Sequence, residues 1–273
     1  MRHEMALRRR LHTLHTLHDA VAAMRSLSAH HLRVLRQALP AARAYRAEIE
    51  SIVAAIGLYQ PRHGLTPGGL VVVASDLGLC GDYNTRLAQQ TLAEHDQRQL
   101  GAVYAVGRRV RPALARAGIT PQRNYEAPAS LDGLSRLLLH LAQDVLEDYV
   151  TARIGALYLV SARFDGIGCF TPMCTCLLPI APMRAAALVR PSPYVTSDHL
   201  AAVAVREFLY IALHEVLLDA LASEYGMRLI ATEAALQWID TTAAHTARQL
   251  TASRSETATQ EVLDIVAGAK ARL

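Results

Sequence analysis

Lysine is almost missing from this chain. Lys270 is the only one, and the remaining basic charge is carried by arginine. With a net charge of only +4 over 273 residues, the surplus is too small to argue for nucleic acid as a partner. Cysteine is scarce: Cys80, Cys169, Cys174 and Cys176 are all there is, too few for a disulfide framework in a chain this size. Aromatic residues make up 5%, while alanine and leucine are plentiful, a balance that favours helix. The opening MRHEMALRRRLH has no apolar core of the kind a signal peptide needs. No uncharged apolar run reaches the roughly 18 residues of a membrane span; the nearest, 199–222, carries Arg206, Glu207, His214, Glu215 and Asp219. A soluble chain is expected, with any membrane association made through a partner.

Proline is unevenly placed, and its absences divide the chain into three parts. Residues 1–56 contain only Pro40, and residues 197–273 contain none. The first part carries Leu7, Leu11, Leu14, Leu17, Val21, Met24, Leu27, Leu32, Leu35 and Leu39 at steps mostly of three and four, the seam of an amphipathic or coiled-coil helix. The last part, if helical throughout, would be roughly 120 Å long at about 1.5 Å per residue. It needs a partner for its apolar stripe, because helices owe most of their stability to packing. Charge points to the first part as that partner. Residues 1–48 hold nine arginines against Glu4, Asp19 and Glu48, whereas residues 199–273 carry a net charge of −3. Between the two, residues 57–196 alternate strand-length apolar runs at 70–74, 102–106 and 154–160 with helix-like stretches at 84–99 and 131–149. This predicts a mostly parallel sheet, with the Pro172-containing run 167–180 at its edge. The fold expected is α/β with a long antiparallel coiled coil: N- and C-terminal helices forming a shaft, and a Rossmann-like α/β domain inserted between them. The would-be seam over 231–260 reads as Ala, Thr, His and Ser, weak for a free coiled coil and suited to a shaft enclosed by another protein.

Four features invite a chemical reading. The loop LVVVASDLGLCGDYN (70–84) follows a strand and opens a helix, as phosphate loops do. Gly78 and Gly81 are three apart with no following lysine, so neither the Walker nor the dinucleotide pattern is present. A structural turn is favoured, with the glycines at positive φ and Asn84 capping the helix. Cys174 and Cys176 share one face of a strand, but the C-x₂₋₄-C pair usual for structural zinc is absent. His12, His15 and His18 drift around their helix. The first helix is basic through Arg8, Arg9, Arg10, Arg25, Arg33, Arg36, Arg43 and Arg46, either a solvated face or a track for an acidic partner or membrane surface. No Ser-His-Asp order, paired-carboxylate motif or H-E-x-x-H occurs.

Four motifs in order give this arrangement a likeness. SDLGLCGDYN (75–84) resembles the S-D-R-G-L-C-G-G-L-N signature of the gamma subunit of F-type ATP synthases. LRRRLHTLHTLHDAVAAMRSLSA (7–29) resembles that family's opening helix, with Ala23, Met24 and Arg25 at its Ala-Met-Lys. ASEYGMRLIATEAA (222–235) and TQEVLDIVAGA (259–269) resemble its two C-terminal segments. Leu77 stands where the family has arginine, Asp82 where it has glycine and Trp238 where it has asparagine. Near the end, Ser255 replaces the glutamine of an Arg-Gln pair and Ala258 an isoleucine. The chain thus resembles a divergent member, of the kind an alternative ATPase would contain.

The resemblance implies a central-stalk rotor without a catalytic site, cofactor or metal of its own. Its partners would be the alpha and beta subunits of the catalytic ring, the epsilon subunit and the membrane c-ring, at the cytoplasmic face of the cell membrane. The residues it places at partner contacts are Arg9, Arg10, Met24, Arg25, Gly78, Leu79, Cys80, Gly81, Asn84, Arg228, Arg254, Thr259 and Glu261. Two other readings stay open at this stage: a nucleotide-binding α/β enzyme using the loop at 75–84, and a metal-binding coiled-coil scaffold.

Overall fold

The structure, a computed structural model, describes residues 2–56, 66–180 and 196–270, and the side chains of all of these except 2, 197, 198, 261, 264–266 and 268–270. The elements are α1 (Arg2–Ala55), β1 (Gly69–Val73), α2 (Tyr83–Arg98), β2 (Ala102–Val106), α3 (Arg111–Arg116), β3 (Arg123–Tyr125), α4 (Leu131–Val150), β4 (Leu157–Gly166), β5 (Cys169–Leu178) and α5 (Ser197–Lys270). The joints of the three-part division, at 56/57 and 196/197, border segments 57–65 and 181–195, which lie outside the described residues. By compactness the chain forms two units: residues 28–230, and residues 1–27 with 231–273.

The larger unit is built on a five-stranded sheet of order β3-β2-β1-β4-β5. The first four strands are parallel neighbours and β5 runs antiparallel to β4. Both faces are covered, and the two-residue period of a strand sorts the side chains between them. Val71, Val73, Tyr104, Val106, Leu157 and Leu159 face α4 and the stretches of α1 and α5 that belong to this unit. Leu70, Val72, Val103, Ala105, Tyr158 and Val160 face α2 and α3. Pro172 lies on β5, opposite Ala162, where the missing N–H removes no bond from a second neighbour. Two short elements, α3 and β3, escape a periodicity reading. Each is under two turns or four residues, and β3 is only part-buried.

Two tyrosines of the sheet are tied to α4 through carboxylates one turn apart. Tyr104 Oη donates to Asp148 at 2.6 Å and Tyr125 Oη to Asp144 at 2.6 Å. Asp148 is fully buried, and its other oxygen accepts from Arg153 at 2.9 Å. Burial and then the carboxylate partner push both phenols well above their usual range. On the same side of the sheet, α1 and α5 are joined by charge. Arg43 reaches Asp219 at 2.8 Å, and Arg46 reaches Glu215 at 3.0 Å and Glu50 at 2.8 Å. Burial raises the Asp219 pKa against the pull of Arg43. Close approach matters at the β4–β5 turn, where a Cβ on Gly168, at φ +77°, would come within 2.8 Å of Ile230 on α5.

The smaller unit is the paired ends of α1 and α5. Its seam is narrower than the leucine spacing suggests. Leu7, Leu14 and Val21 are buried at heptad steps, and Leu14 and Val21 pack with Leu236 and Ile239 of α5; Leu250, Thr232 and Thr246 of α5 are buried as well. Leu17 and Leu27 are about half exposed instead. The expectation of an all-small seam over 231–260 is therefore corrected: large side chains alternate with Ala235, Ala243 and the threonines.

Replacing Tyr104 by Phe leaves one oxygen of a fully buried carboxylate without its donor. The expected loss is about 1–3 kcal/mol, read as a lower urea midpoint with an unchanged m-value. An unchanged midpoint would show that the bond contributes nothing net.

Candidate functional site

In the larger unit, the chain leaving β1 makes a loop, 74–82, that is closed from three sides. Asn84 does not cap α2. The cap position is Asp82, which makes no side-chain cap bond, and Asn84 lies in the first turn. Its amide reaches back into the loop instead: Nδ2 donates to Ser75 Oγ at 2.8 Å and Cys80 Sγ at 3.1 Å, and Oδ1 accepts from Ser75 N–H at 3.0 Å. Asp76 holds the next two connections, accepting from the N–H of Arg108 at 2.7 Å and of Ala127 at 3.2 Å. Positive φ occurs at Leu79 (+56°) and Gly81 (+59°), not at Gly78. Gly78 is small for another reason: a Cβ there would stand 3.0 Å from the guanidinium of Arg109.

The third side is α5. Arg228, 2% exposed, donates to the carbonyls of Gly78 at 3.2 Å and Leu77 at 3.4 Å, and pairs with Glu224 at 2.5 Å. Burial raises the Glu224 pKa, and Arg228 opposes that rise. Burial likewise raises the Cys80 thiol, which disfavours the reactive thiolate. A phosphate cradle turns N–H groups onto an anion. This loop turns carbonyl oxygens onto a cation, so the phosphate-cradle reading of 75–84 fails on geometry.

The smaller unit carries the other predicted contacts. Arg25 meets Glu233 at 2.6 Å, His18 approaches Asp240 at 3.6 Å, and Arg254 meets Glu4 at 2.9 Å. Each step toward the start of α1 is matched by an equal step toward the end of α5, which defines antiparallel pairing. Arg9 and Arg10 are exposed and pair with no acid among the described residues, and Met24 is half-buried. The hydroxyls of Thr241, Thr246, Thr251, Thr257 and Thr259 each donate to a carbonyl one turn back on α5, at 2.8–3.1 Å. Trp238 is 60% exposed. The Glu261 side chain lies outside the described residues. The structure thus brings Gly78, Leu79, Cys80, Gly81, Asn84 and Arg228 together in one unit, and Arg9, Arg10, Met24, Arg25, Arg254 and Thr259 belong to the other. Sequence reading did not find Glu224, Asp76 or Arg109. Glu224 lies four residues before Arg228, a spacing that signals a helical ion pair.

The remaining candidates are dispersed. His12 and His15 are exposed, and His18 turns toward α5. Cys169 and Cys176 are exposed; Cys174 is half-buried, its thiol pushed up to about 12 by burial and then by Glu94. Among the described residues no three His, Cys, Asp or Glu side chains converge as metal ligands.

Comparison with known proteins agrees with this arrangement. The family model described as ATP synthase matches residues 4–271, and the chain belongs to that family. Two curated relatives, each called ATP synthase gamma chain, come from Moorella thermoacetica and Pelotomaculum thermopropionicum. They are 28% and 25% identical, and the alignments cover 99% and 97% of both chains. Among solved structures, a chain of the Euglena gracilis mitochondrial ATP synthase OSCP/F1/c-ring assembly shares the fold, with TM-score 0.69 and 16% identity. That match covers 98% of this chain and 94% of the other.

Arg228→Met strands Glu224 in the interior, and breaking such a pair costs about 3–5 kcal/mol. The folded-state pKa of Glu224 is already raised and rises further in the variant. The deficit should therefore be largest at neutral pH and shrink as acid protonates the carboxyl. Urea denaturation of both proteins at pH 7 and pH 5 checks this, and a pH-independent deficit contradicts it. Arg228→Met with Glu224→Leu should recover much of the loss.

Proposed function

We propose that this chain is the central-stalk rotor subunit of an F-type ATP synthase, mechanically coupling ion translocation through the membrane sector to ATP synthesis or hydrolysis at the beta subunits. The observation that carries the reading is the antiparallel pairing of the chain's two ends, registered by Arg25–Glu233, His18–Asp240 and Glu4–Arg254. Near-full-length relatives named ATP synthase gamma chain support it. In this reading the paired ends are the shaft held within a ring of alpha and beta subunits, and the sheet-containing part is a Rossmann-like foot facing the epsilon subunit and c-ring. The parallel order β3-β2-β1-β4 supports that description of the foot. The chain supplies no catalytic group. It joins the cytoplasmic face of the membrane through its complex, and no helix among the described residues is long and apolar enough to cross a membrane.

Torque transmission needs a shaft that resists twisting and a surface that does not bind one angle strongly. A registered two-helix seam with interlocked large and small side chains meets the first need. Exposed Arg9 and Arg10 meet the second, because a long-range attraction to acidic segments of the ring changes slowly with angle, whereas Arg25 is held to Glu233. Cys80 and Arg228, being buried, act by shaping the 75–84 surface, while Leu77, Leu79, Gly81 and Asp82 are its exposed points. Trp238 is then a large apolar contact facing the ring.

Affinity capture from native membranes, with the tag in the foot, should recover alpha, beta and epsilon subunits with ATPase activity. Recovery of the chain alone would refute the assignment. In the intact complex, Trp238→Ala should lower ion-driven ATP synthesis at least several-fold while leaving chain stability within about 0.5 kcal/mol, as expected for an exposed position. Unimpaired synthesis would remove Trp238 from the contact.

A further inference from the structure

A cleft of about 430 Å³ lies between α2 and α3, with Thr85 and Gln89 on the α2 wall and Arg109 and Arg116 across from them. We propose that it binds a small phosphate-bearing anion through Arg109 and Arg116. The volume falls within the range of small-ligand sites, roughly 300–1,000 Å³. Ala88, Leu92, Ala113 and Ala117 make its apolar floor, and its charged groups are two exposed guanidinium side chains.

Neither arginine is matched by a carboxylate among the described residues. The acids nearby are already engaged: Asp76 by two backbone N–H groups and Arg108, and Glu94 by Arg98 and Gln90. Asp82 is exposed and is not part of the lining. Arg109 is held in place from both ends. Its N–H donates to Ser75 O at 3.0 Å, and its guanidinium lies in the space that Gly78 leaves by lacking a Cβ. Arg116 Nε donates to Pro112 O at 3.1 Å, which fixes the stem and leaves the terminal nitrogens as donors. Two positioned guanidinium forks favour a multivalent oxyanion over a single carboxylate, since each fork can take two oxygens. Thr85 and Gln89 add neutral hydrogen-bonding groups on the α2 wall. This cleft is separate from the inside of the 75–84 loop, which is filled by Arg228.

The test is calorimetric titration of the full chain with inorganic pyrophosphate and, separately, with ADP. One-to-one binding is expected, weakened by added salt and weakened at least about tenfold when Arg109 and Arg116 are both changed to Gln, a loss of about 1.4 kcal/mol. Gly78→Ala keeps both charges but displaces the Arg109 guanidinium, and should weaken binding less than the double variant does. ADP binding more tightly than pyrophosphate, with the same dependence on the arginines, would identify a nucleotide that also uses the apolar floor. Equal affinities would identify the phosphates alone. Absence of saturable binding at millimolar pyrophosphate overturns the proposal, as does binding unchanged in a folded double-Gln variant. Binding by the free chain that vanishes in the assembled complex would mark the face as a protein contact and overturn it too.

Discussion

Arg228 must be charged, buried and fully bonded at once, and the larger unit is organised to allow it. A guanidinium cannot shed its charge, so an interior position requires acceptors all around it. Glu224, one helical turn away, supplies the counter-charge, and the loop leaving β1 supplies carbonyl oxygens from Leu77 and Gly78. That fixes the loop's path. The path in turn puts Leu79 and Gly81 in the left-handed region and leaves Asn84 pointing back at Ser75 rather than capping its own helix. The strongly conformational sequence of 75–84 is thus the shell of a charge located far away in the chain, on α5.

That relationship explains what sequence could and could not tell. The long helices, the strands β1, β2 and β4 and the edge position of β5 follow from apolar period and proline placement, whereas the antiparallel direction of β5 was not legible. Loop 75–84 reads as a strand-to-helix corner, and the structure places it between β1 and α2. The reasons for its residues were not legible. Gly78 makes room for Arg109, 31 positions away, and Asn84 serves a strand end; both depend on tertiary neighbours. The leucine spacing of α1 overstated its seam for a similar cause. Leu17 and Leu27 fit a helical stripe, but a two-helix seam has room for fewer positions than a globular face does. Segments α3 and β3 are too short to carry any period.

The pairing of α1 with α5 shows how two weak signals reinforce one another. Opposite net charge over long stretches gives no register, and each exposed pair contributes only about 0–1 kcal/mol. Register comes from the few large side chains, Leu14 and Val21 against Leu236 and Ile239, with small residues between them. The ion pairs then fall where that register puts them. A seam of uniform size would allow sliding, whereas an alternating one does not.

The threonines of α5 have a consequence for motion. A hydroxyl proton given to the helix's own backbone is no longer offered to a neighbour, and five such residues from Thr241 to Thr259 have made that choice. Four of them, Thr241, Thr251, Thr257 and Thr259, are exposed. These hydroxyls present only acceptor oxygens and methyl groups outward, while Arg248, Gln249, Arg254 and Glu256 are exposed directional groups of the same stretch. In the proposed rotor, these hydroxyls therefore add little angle-dependent resistance, because their donors are already used by the main chain of α5.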